Sequence, residues 1–438
     1  MEKRELAVAR RAVIATLWLG LSLLPGALRA QGVALSGVGP VNRGMSGAST
    51  AAPIDAAGAL LWNPASISGL RRSEANFGIE LLLPTEQLSS RFPAFGLEGA
   101  TSGEPGVSPI PEAAFVHKNE DSPWAYGLGI FGIGGFQTNY PASLTNPVLT
   151  PQPPNGVGLG RVSSMAEYYQ IVPTVAATLT DRLSVGFAPT LTLARLDVNP
   201  VVLAAPNDAN GDTSFTYPTG DGTRYHFGGG FQLGLYYLAS DVWQVGLCFK
   251  SPQWFEEFRS NTTDELGRPV VSTARFDYPM IVSLGTSYTG IENWLIACDV
   301  RYFDYANADG FGSPAGFDAT GAVTGLGWDS VFSVHTGVQY RATDRLSLRT
   351  GYQYNTNPIG SEEAFFNVAS PLIIQHVASI GFSYHLTPDV IFSAAYLHGF
   401  ENEVSGPIHA PGLGAIPGTS ATSTVSADGL GAGLTIRY

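Results

Sequence analysis

Charged residues, cysteines and clustered histidines are all scarce in this chain, and each scarcity excludes a class of protein. Only 13% of the 438 residues are charged, and the net charge of −13 argues against nucleic acid or an anionic membrane surface as a partner. The two cysteines, Cys248 and Cys298, lie in separate strand-like runs, which favours two buried or lipid-facing thiols over a disulfide. The seven histidines lack ligand spacing, and no serine stands in a nucleophile-elbow sequence. We therefore expect no enzyme activity, no metal and no cofactor.

Long apolar runs are also lacking beyond the N-terminus. Four basic residues within the first eleven precede an apolar stretch at residues 12–24 and a processing site at residues 27–30. This order predicts a signal peptide over residues 1–30; a membrane anchor is the alternative, although the apolar stretch is short for a span. No other stretch approaches the roughly twenty apolar residues that a membrane helix needs, which excludes a helical membrane protein.

What the chain has instead is alternation with a period of two. Between residues 346 and 355, Leu346, Leu348 and Tyr352 fall on one face, and Arg349 and Gln353 fall on the other. The same pattern recurs and predicts about fourteen strands, an even number that closes into a barrel without an exposed edge. They start near Ala75, Glu112, Trp124, Met165, Leu183, Thr223, Val242, Met280, Trp294, Ser330, Leu346, Ile373, Val390 and Val425.

Connections and aromatic residues indicate where such a barrel would lie. Short turns alternate with long connections rich in Gly, Pro, Ser and Asn, as in outer-membrane barrels with tight periplasmic turns and long external loops. A soluble double sheet also alternates, but scarce charge and aromatic side chains near strand ends favour an apolar outer band with aromatic girdles. These side chains are Trp243, Trp294, Tyr302, Tyr340, Tyr352, Tyr354 and Tyr384. The predicted fold is an all-β transmembrane antiparallel barrel, surrounded by outer-membrane lipid.

The stretch from residue 37 to residue 70 differs from the rest. It is rich in Gly, Ala and Ser, and it ends near the tripeptide Asn63, Pro64 and Ala65. Small side chains let a backbone lie close to surrounding walls, and Pro64 makes the turn rigid. We predict that residues 31–72 form a hatch segment in the lumen and that residues 73–438 form the barrel.

The third predicted strand is rich in glycine. The sequence from Gly127 to Gly132 matches the glycine spacing of a dinucleotide-binding motif. However, no helix pattern and no suitably spaced acidic residue follow it. Glycine-rich strands cannot hold a regular ladder, which predicts a kink or gap in the wall, with a simple barrel bend as the alternative. The kink residues are Phe131, Gly132, Ile133, Gly134 and Gly135.

Three aromatic residues leave the strand that begins at Val242: Trp254, Phe255 and Phe258. Exposed apolar side chains of this kind usually bind something, so they are predicted to line a surface groove. The alternative is a girdle with a packed loop.

A lone cation, Arg195, shares a predicted face with Leu191 and Leu193. Among aliphatic side chains it is a candidate to meet a ligand carboxylate, with Leu193 beside it, and a luminal acid such as Asp299 is the alternative partner. Residues 208–212 alternate oxygen donors like a calcium loop. Thr213 and Thr219 replace the Gly and Glu of that motif, so a solvated turn is predicted.

Together these features resemble the FadL/TodX-type outer-membrane transporters of long-chain fatty acids and hydrocarbons. The resemblance is carried by the Asn63 to Ala65 segment, the interrupted third strand, the terminal Tyr438 and the late sequence LRTGYQY at residues 348–354, which is followed by Asn357, Pro358 and Ile359. It extends over the whole chain after the signal peptide.

The resemblance implies a monomeric barrel that takes up hydrophobic small molecules. Such ligands would bind first in a groove among the external loops, then at a luminal site, and would leave sideways at the kinked third strand. Asn63, Pro64 and Ala65 would anchor the hatch, and Arg195 occupies a context similar to the family's carboxylate-binding position. The alternatives are a small-solute porin, against which scarce charge and the hatch argue, and a structural or secretion-associated barrel.

Overall fold

The computed structural model describes residues 32–119 and 121–438, and antiparallel strands dominate it. Five strands begin at the residues that alternation predicts, namely Trp124, Leu183, Trp294, Leu346 and Val390. The predicted signal peptide lies outside the described residues. The fourteen wall strands are Glu74–Phe92 (β1), Ser108–Lys118 (β2), Trp124–Tyr140 (β3), Val162–Thr180 (β4), Leu183–Asn199 (β5), His226–Leu238 (β6), Trp243–Lys250 (β7), Ile281–Tyr288 (β8), Trp294–Phe303 (β9), Val331–Arg341 (β10), Leu346–Asn355 (β11), His376–His385 (β12), Val390–Gly406 (β13) and Ser420–Arg437 (β14).

These strands close into one barrel. Each strand pairs antiparallel with its neighbours in sequence, and β1 pairs with β14 over a long register from Glu74↔Arg437 to Arg91↔Ser420. Closure satisfies the backbone groups that an open sheet would expose at its edges. The predicted fold class is confirmed.

The wall has an apolar outer face and a polar inner face. On β11, Arg349 and Gln353 are buried in the lumen, while Leu348 and Tyr352 on the opposite face are each 44% exposed. Aromatic rings pack in pairs on the outside near the short turns: Trp243 lies 4.6 Å from Tyr288, and Trp294 lies 4.7 Å from Tyr340, between ring centroids.

Long connections at one end of the barrel carry short elements of their own. A three-stranded sheet stands above the wall, and it consists of Thr219–Thr223, Phe258–Thr263 and Pro269–Ala274. The other short strands are Leu97–Ser102, Trp254–Phe255, His409–Ala410 and Gly414–Ala415. Short 3-10 helices are Pro93–Phe95, Pro147–Leu149, Tyr305–Asn307 and Phe365–Asn367. At the opposite end, the described strands are joined by short turns.

The N-terminal segment fills much of the lumen. It forms the helices Gly39–Arg43 (α1) and Ala56–Trp62 (α2) and the 3-10 helix Pro64–Gly69. Asp55 caps α2 by accepting a 3.3 Å hydrogen bond from the Gly58 N–H, and the helix buries Leu60 and Trp62 completely. Within the described ranges, no helix combines the length and the apolar character needed to cross a membrane.

Candidate ligand pathway

Asn63 connects the N-terminal segment to the barrel wall. Its side-chain N–H group donates to the carbonyl of Leu235 on β6 at 2.9 Å and to the carbonyl of Thr50 at 2.8 Å, while its Oδ1 accepts from the Ala65 N–H at 3.1 Å. Pro64 opens the following 3-10 helix, where its missing N–H leaves no unpaired donor. The wall residues Gly186 and Gly234 lie so close to this tripeptide that neither has room for a Cβ. The structure thus brings the three predicted hatch residues against the wall.

A second and larger anchor was missed from the sequence. Asp299 Oδ2 on β9 accepts hydrogen bonds from the backbone N–H groups of Ser49 and Thr50, both at 2.9 Å, and lies 2.7 Å from the Arg301 guanidinium. Arg301 also donates to the Ser36 carbonyl at 3.1 Å, and its guanidinium carbon lies 3.3 Å from the centre of the Trp62 ring. Both charged side chains are fully buried. An acid and a cation two residues apart on a luminal face are the signal that would have pointed to this site.

In the glycine-rich run of β3, where a kink is predicted, the pairing is irregular. Its register with β4 shifts between Gly132 and Gly134, so Ile133 is a bulge. On the other side, the ladder with β2 ends at Glu112↔Phe131. The preceding residues on β2 include Pro109 and Pro111, which cannot donate to a ladder. Sequence reasoning did not use this proline pair, although prolines in a strand are a known signal of broken pairing.

The start of the N-terminal segment lies on this kink. The Leu35 N–H donates to the Ile133 carbonyl at 2.9 Å, and the Gly135 N–H donates to the Val33 carbonyl at 3.1 Å. The Tyr278 hydroxyl also donates to Ile133, at 3.0 Å. The unpaired backbone of the bulge is therefore satisfied from inside the barrel rather than by β2.

Two small cavities meet behind the kink. The first, here called the wall opening, has about 130 Å³ and is lined by Leu82, Ile110, Gly132 and Phe136, among others. The second, the luminal cavity, has about 140 Å³ and is lined by Ala34, Asn355 and Leu397, among others. Both are also lined by Leu35, Gly135, Leu372 and Ile374, so they are contiguous through these side chains.

A larger apolar cavity lies among the long loops. This loop groove has about 600 Å³ and is lined mainly by aliphatic and aromatic side chains, including Phe92, Val148, Phe215, Phe317, Phe366 and Ile408. Concave, mostly apolar sites of this size are typical of small-molecule binding. Because the groove is formed by loops that are distant in sequence, no periodic pattern in the sequence predicts it.

Residues 365–374 separate the loop groove from the luminal cavity. Phe365, Phe366 and Val368 face the loop groove, whereas Leu372 and Ile374 line the luminal cavity and the wall opening. This loop septum is held by Asn367, whose Oδ1 accepts from the Trp328 indole at 2.6 Å and whose amide donates to the Leu326 carbonyl at 2.9 Å.

The predicted groove residues do not line the loop groove. Trp254 is 54% exposed on the outer side, while Phe255 and Phe258 turn inward; the Phe255 ring lies 5.9 Å from that of Tyr168, and Phe258 packs against His226 at 4.7 Å. Trp254 and Phe255 are neighbours on one short strand and point to opposite sides, whereas Phe258 begins a separate strand, so the three do not share one surface.

Arg195 and Leu193 also lie elsewhere than a luminal site would require. On β5, Thr192 and Ala194 are buried toward the lumen, whereas Leu191 is 45% exposed on the outer face that it shares with Leu193 and Arg195. Arg195 is 3.2 Å from Asp197 on the same face. The suggested pairing with Asp299 is wrong, because Asp299 pairs with Arg301.

The remaining sequence features are the two cysteines and the turn at residues 208–212. Cys248 and Cys298 are free thiols. In the 208–212 turn, Asp208 accepts from the backbone of Gly211 at 2.8 Å, and a backbone hydrogen bond from Ser214 lowers the pKa of the Asp212 carboxyl. No group of three or more His, Cys, Asp or Glu side chains in the described ranges is arranged to hold a metal ion.

At the short-turn end, a polar vestibule of about 520 Å³ lies between the N-terminal segment and the wall. It is lined by Asp55, Glu292, Arg341, Arg349 and Arg437, among others. Its polar lining contrasts with the apolar loop groove at the other end.

The comparison with known proteins agrees with this architecture. A family model described as "Outer membrane protein transport protein (OMPP1/FadL/TodX)" matches residues 23–438. No curated protein sequence matches the chain. Among solved structures, it is similar to a Pseudomonas aeruginosa FadL homologue, with a TM-score of 0.73 and 14% identity over 93% of this chain and 99% of that one.

Two toluene transporters are similar in fold as well. The Ralstonia pickettii toluene transporter TbuX has a TM-score of 0.66 and 17% identity over 92% of this chain and 99% of that one. The P. putida toluene transporter TodX has a TM-score of 0.65 and 16% identity over the same shares of the two chains.

Proposed function

Because the chain belongs to the OMPP1/FadL/TodX family of outer-membrane transport proteins, we propose that it is a passive channel for hydrophobic molecules. The route runs from the loop groove through the luminal cavity to the wall opening, and from there sideways into the outer-membrane bilayer. One observation carries the proposal: the ladder between β2 and β3 is interrupted where the luminal cavity reaches the wall.

Capture in the loop groove has a simple driving force. Each methylene buried from water contributes about 0.8 kcal/mol, so an apolar groove concentrates a hydrocarbon chain without any energy source. The aromatic rings supply large contact surfaces, as in the pair Phe317 and Phe366, whose centroids lie 5.3 Å apart.

Passage inward requires the loop septum to move. The septum has no regular strand pairing, and the 3-10 helix Phe365–Asn367 at its start is short, so displacement of residues 365–374 breaks few backbone–backbone hydrogen bonds. A ligand that binds better once the septum is displaced shifts the protein toward that open state.

Release through the wall opening keeps the ligand out of water. The bilayer is as apolar as the groove, so a molecule that leaves between β2 and β3 does not lose the free energy gained on capture. The N-terminal segment closes the straight route toward the periplasm, with Asn63, Pro64 and Ala65 as one anchor. A single chain suffices for this route, and we propose a monomer.

Uptake assays test the proposal directly. In a Gram-negative host without barrels of this family, expression of the full chain is expected to accelerate uptake of labelled toluene and dodecane. Phe215→Asp, which places a carboxylate in the loop groove, should lower that uptake, whereas Leu413→Asp at an exposed loop tip outside the groove should not. Unchanged uptake of every hydrophobic compound would refute transport, and equal effects of the two substitutions would refute the groove.

A further inference from the structure

Among the residues that the structure describes, no cation lines the loop groove. None of the described residues that line it is a Lys or Arg, and Asp318 is its one formally charged side chain. Hydrogen bonds from the Thr320 hydroxyl and backbone, at 2.6 and 2.7 Å, hold the pKa of Asp318 below its ordinary value. His409 also lines the groove, where its ring packs against Phe366 at 4.8 Å and its Nε2 is buried. The fixed charge at the groove is therefore negative.

The cavities farther along the route have no unpaired cation among their described lining residues. Arg43 lines the luminal cavity, but its Nε lies 2.6 Å from Glu80 Oε2 and it also donates to the Ser36 hydroxyl at 2.7 Å. The charged residues lining the wall opening are Glu86 and Glu167. A neighbouring cavity of about 330 Å³ between the loops contains Arg275 together with Asp309, so it too has no surplus positive charge.

The cations that sequence reasoning or geometry single out are committed elsewhere. Arg195 faces outward beside Asp197, and Arg301 is buried against Trp62 and Asp299. Lys250 also lies over the Trp62 ring, at 4.6 Å from its centre. None of the three lines the loop groove, the luminal cavity or the wall opening.

A carboxylate cannot enter such a route without losing its hydration. Burying an ionised carboxylate is costly unless a cation or several hydrogen-bond donors replace its water, and nearby acidic groups add repulsion. The chain's net charge of −13 also disfavours the approach of anions. An uncharged ligand of the same length avoids both the desolvation cost and the repulsion.

We infer that this protein selects uncharged hydrocarbon-like molecules and discriminates against fatty-acid anions. The inference rests on the proposed function and specifies its substrate class: alkanes, arenes and their neutral alcohols. It requires the same groove and wall opening, and it assigns the selectivity to the absence of a free cation along them.

The test compares ligands of matched length in cells that express the full chain. Uptake of labelled dodecane, 1-dodecanol and dodecanoate is measured at pH 8, where dodecanoate is ionised and an ordinary imidazole is neutral. After subtraction of the host background, dodecane and dodecanol should enter at least about tenfold faster than dodecanoate, since burial of an unpaired carboxylate is disfavoured. Dodecanoate uptake equal to that of dodecane overturns the inference. Failure of all three ligands instead overturns the proposed function, and with it the inference.

A gain-of-function variant tests the cause. Val157 is 40% exposed and lines the loop groove, so Val157→Lys adds a cation there; Leu266→Lys adds the same charge at an exposed loop position outside the groove. Dodecanoate should compete with dodecane uptake in Val157→Lys and not in Leu266→Lys or the unchanged protein. For each variant, surface exposure and heat-modifiability are measured first, to confirm that the barrel has assembled. Absence of competition in correctly assembled Val157→Lys refutes the missing cation as the source of selectivity.

Discussion

At the scale of single residues, Asp299 and Arg301 connect the barrel wall to the N-terminal segment. Each is fully buried, and Asp299 accepts from two successive backbone N–H groups of the segment. Buried ion pairs contribute little net stability when intact, but removal of one partner leaves the other charge uncompensated. The pair is thus better understood as a device that specifies where the segment docks.

We predict that Asp299→Asn loosens the segment without opening the wall. The loss of a buried partner costs about 3–5 kcal/mol, so amide exchange at Ser49 and Thr50 should accelerate at least about a hundredfold. Hydrogen–deuterium exchange measures this, with the β1–β14 ladder as internal reference. Asp389→Asn is the control, because Asp389 and its partner Arg72 are about half exposed and such a pair contributes at most about 1 kcal/mol. Equal protection of Ser49 and Thr50 in both variants would contradict the anchoring role.

Arg195 shows what alternation does and does not reveal about a residue. The period of two places it on the face of Leu191 and Leu193, and in a barrel with an apolar outer band that face looks outward. The sequence therefore contained the reason against a luminal role. The same period of two also indicates its partner, because Asp197 lies two residues along the same face, as Asp299 does from Arg301 on β9.

At the scale of elements, the opening beside β3 depends on β2 and on the N-terminal segment as well as on β3 itself. Glycines allow its bulge, but the opening also depends on β2, where Pro109 and Pro111 coincide with the end of the β2–β3 ladder. The N-terminal segment then occupies the inner side of the bulge. A glycine-rich strand alone predicts a bend; together with β2 and the N-terminal segment, β3 lines the wall opening, which is contiguous with the luminal cavity.

We predict that Gly132→Leu blocks lateral release. A Cβ at this position would meet the Ile110 side chain at 2.7 Å and the nearest backbone atom, the Tyr168 carbonyl, only at 4.0 Å, so a larger side chain fills the wall opening by displacing Ile110 rather than the backbone. Uptake of dodecane should fall to near the host background, while heat-modifiability and surface exposure of the barrel stay unchanged. Gly135 is unsuitable for this test because its Cβ would press on the Ala166 carbonyl in the β3–β4 ladder.

The control for this prediction is Gly229→Leu. Gly229 lies on β6, and a Cβ there meets only the Thr190 carbonyl at 3.5 Å, an ordinary contact. Its uptake should match that of the unchanged protein. Normal transport by assembled Gly132→Leu would mean that ligands leave by another path.

Strand positions were predictable where the lipid imposes alternation, and less so beyond it. β9 and β11 begin at the predicted Trp294 and Leu346, because an aromatic or apolar residue marks the membrane boundary. β14 begins at Ser420 rather than Val425, since its first residues, which are Ser, Thr and Ala, stand above the lipid and need no apolar face. β2 likewise begins before Glu112, where prolines conceal a strand that pairs only with β1.

At the scale of the whole molecule, the lumen is closed by two layers. The N-terminal segment is one. The other, here called the aromatic layer, is carried by the long loops and the adjoining strand end and consists of Phe276, Tyr278, Phe303, Tyr305, Phe311 and Trp328, all buried. Closure of the barrel could be inferred from the period of two and the even number of strands, and the luminal position of residues 37–70 from their small side chains. The aromatic layer could not, because loops bring its residues together without any repeating spacing.

Two layers in series predict a non-additive effect on ion conductance in planar bilayers. Asp299→Asn loosens the N-terminal segment and joins the polar vestibule to the lumen, and Trp328→Ala removes a ring that lies 4.7 Å from Phe311 in the aromatic layer. Each single variant should stay close to the low conductance of the unchanged protein, because the other layer still blocks ions, whereas the double variant should conduct far more than the sum of the two. The control double variant combines Asp299→Asn with Trp243→Ala, which removes a ring from the outer girdle instead of the aromatic layer. A large conductance in either single variant would show that one layer alone seals the barrel.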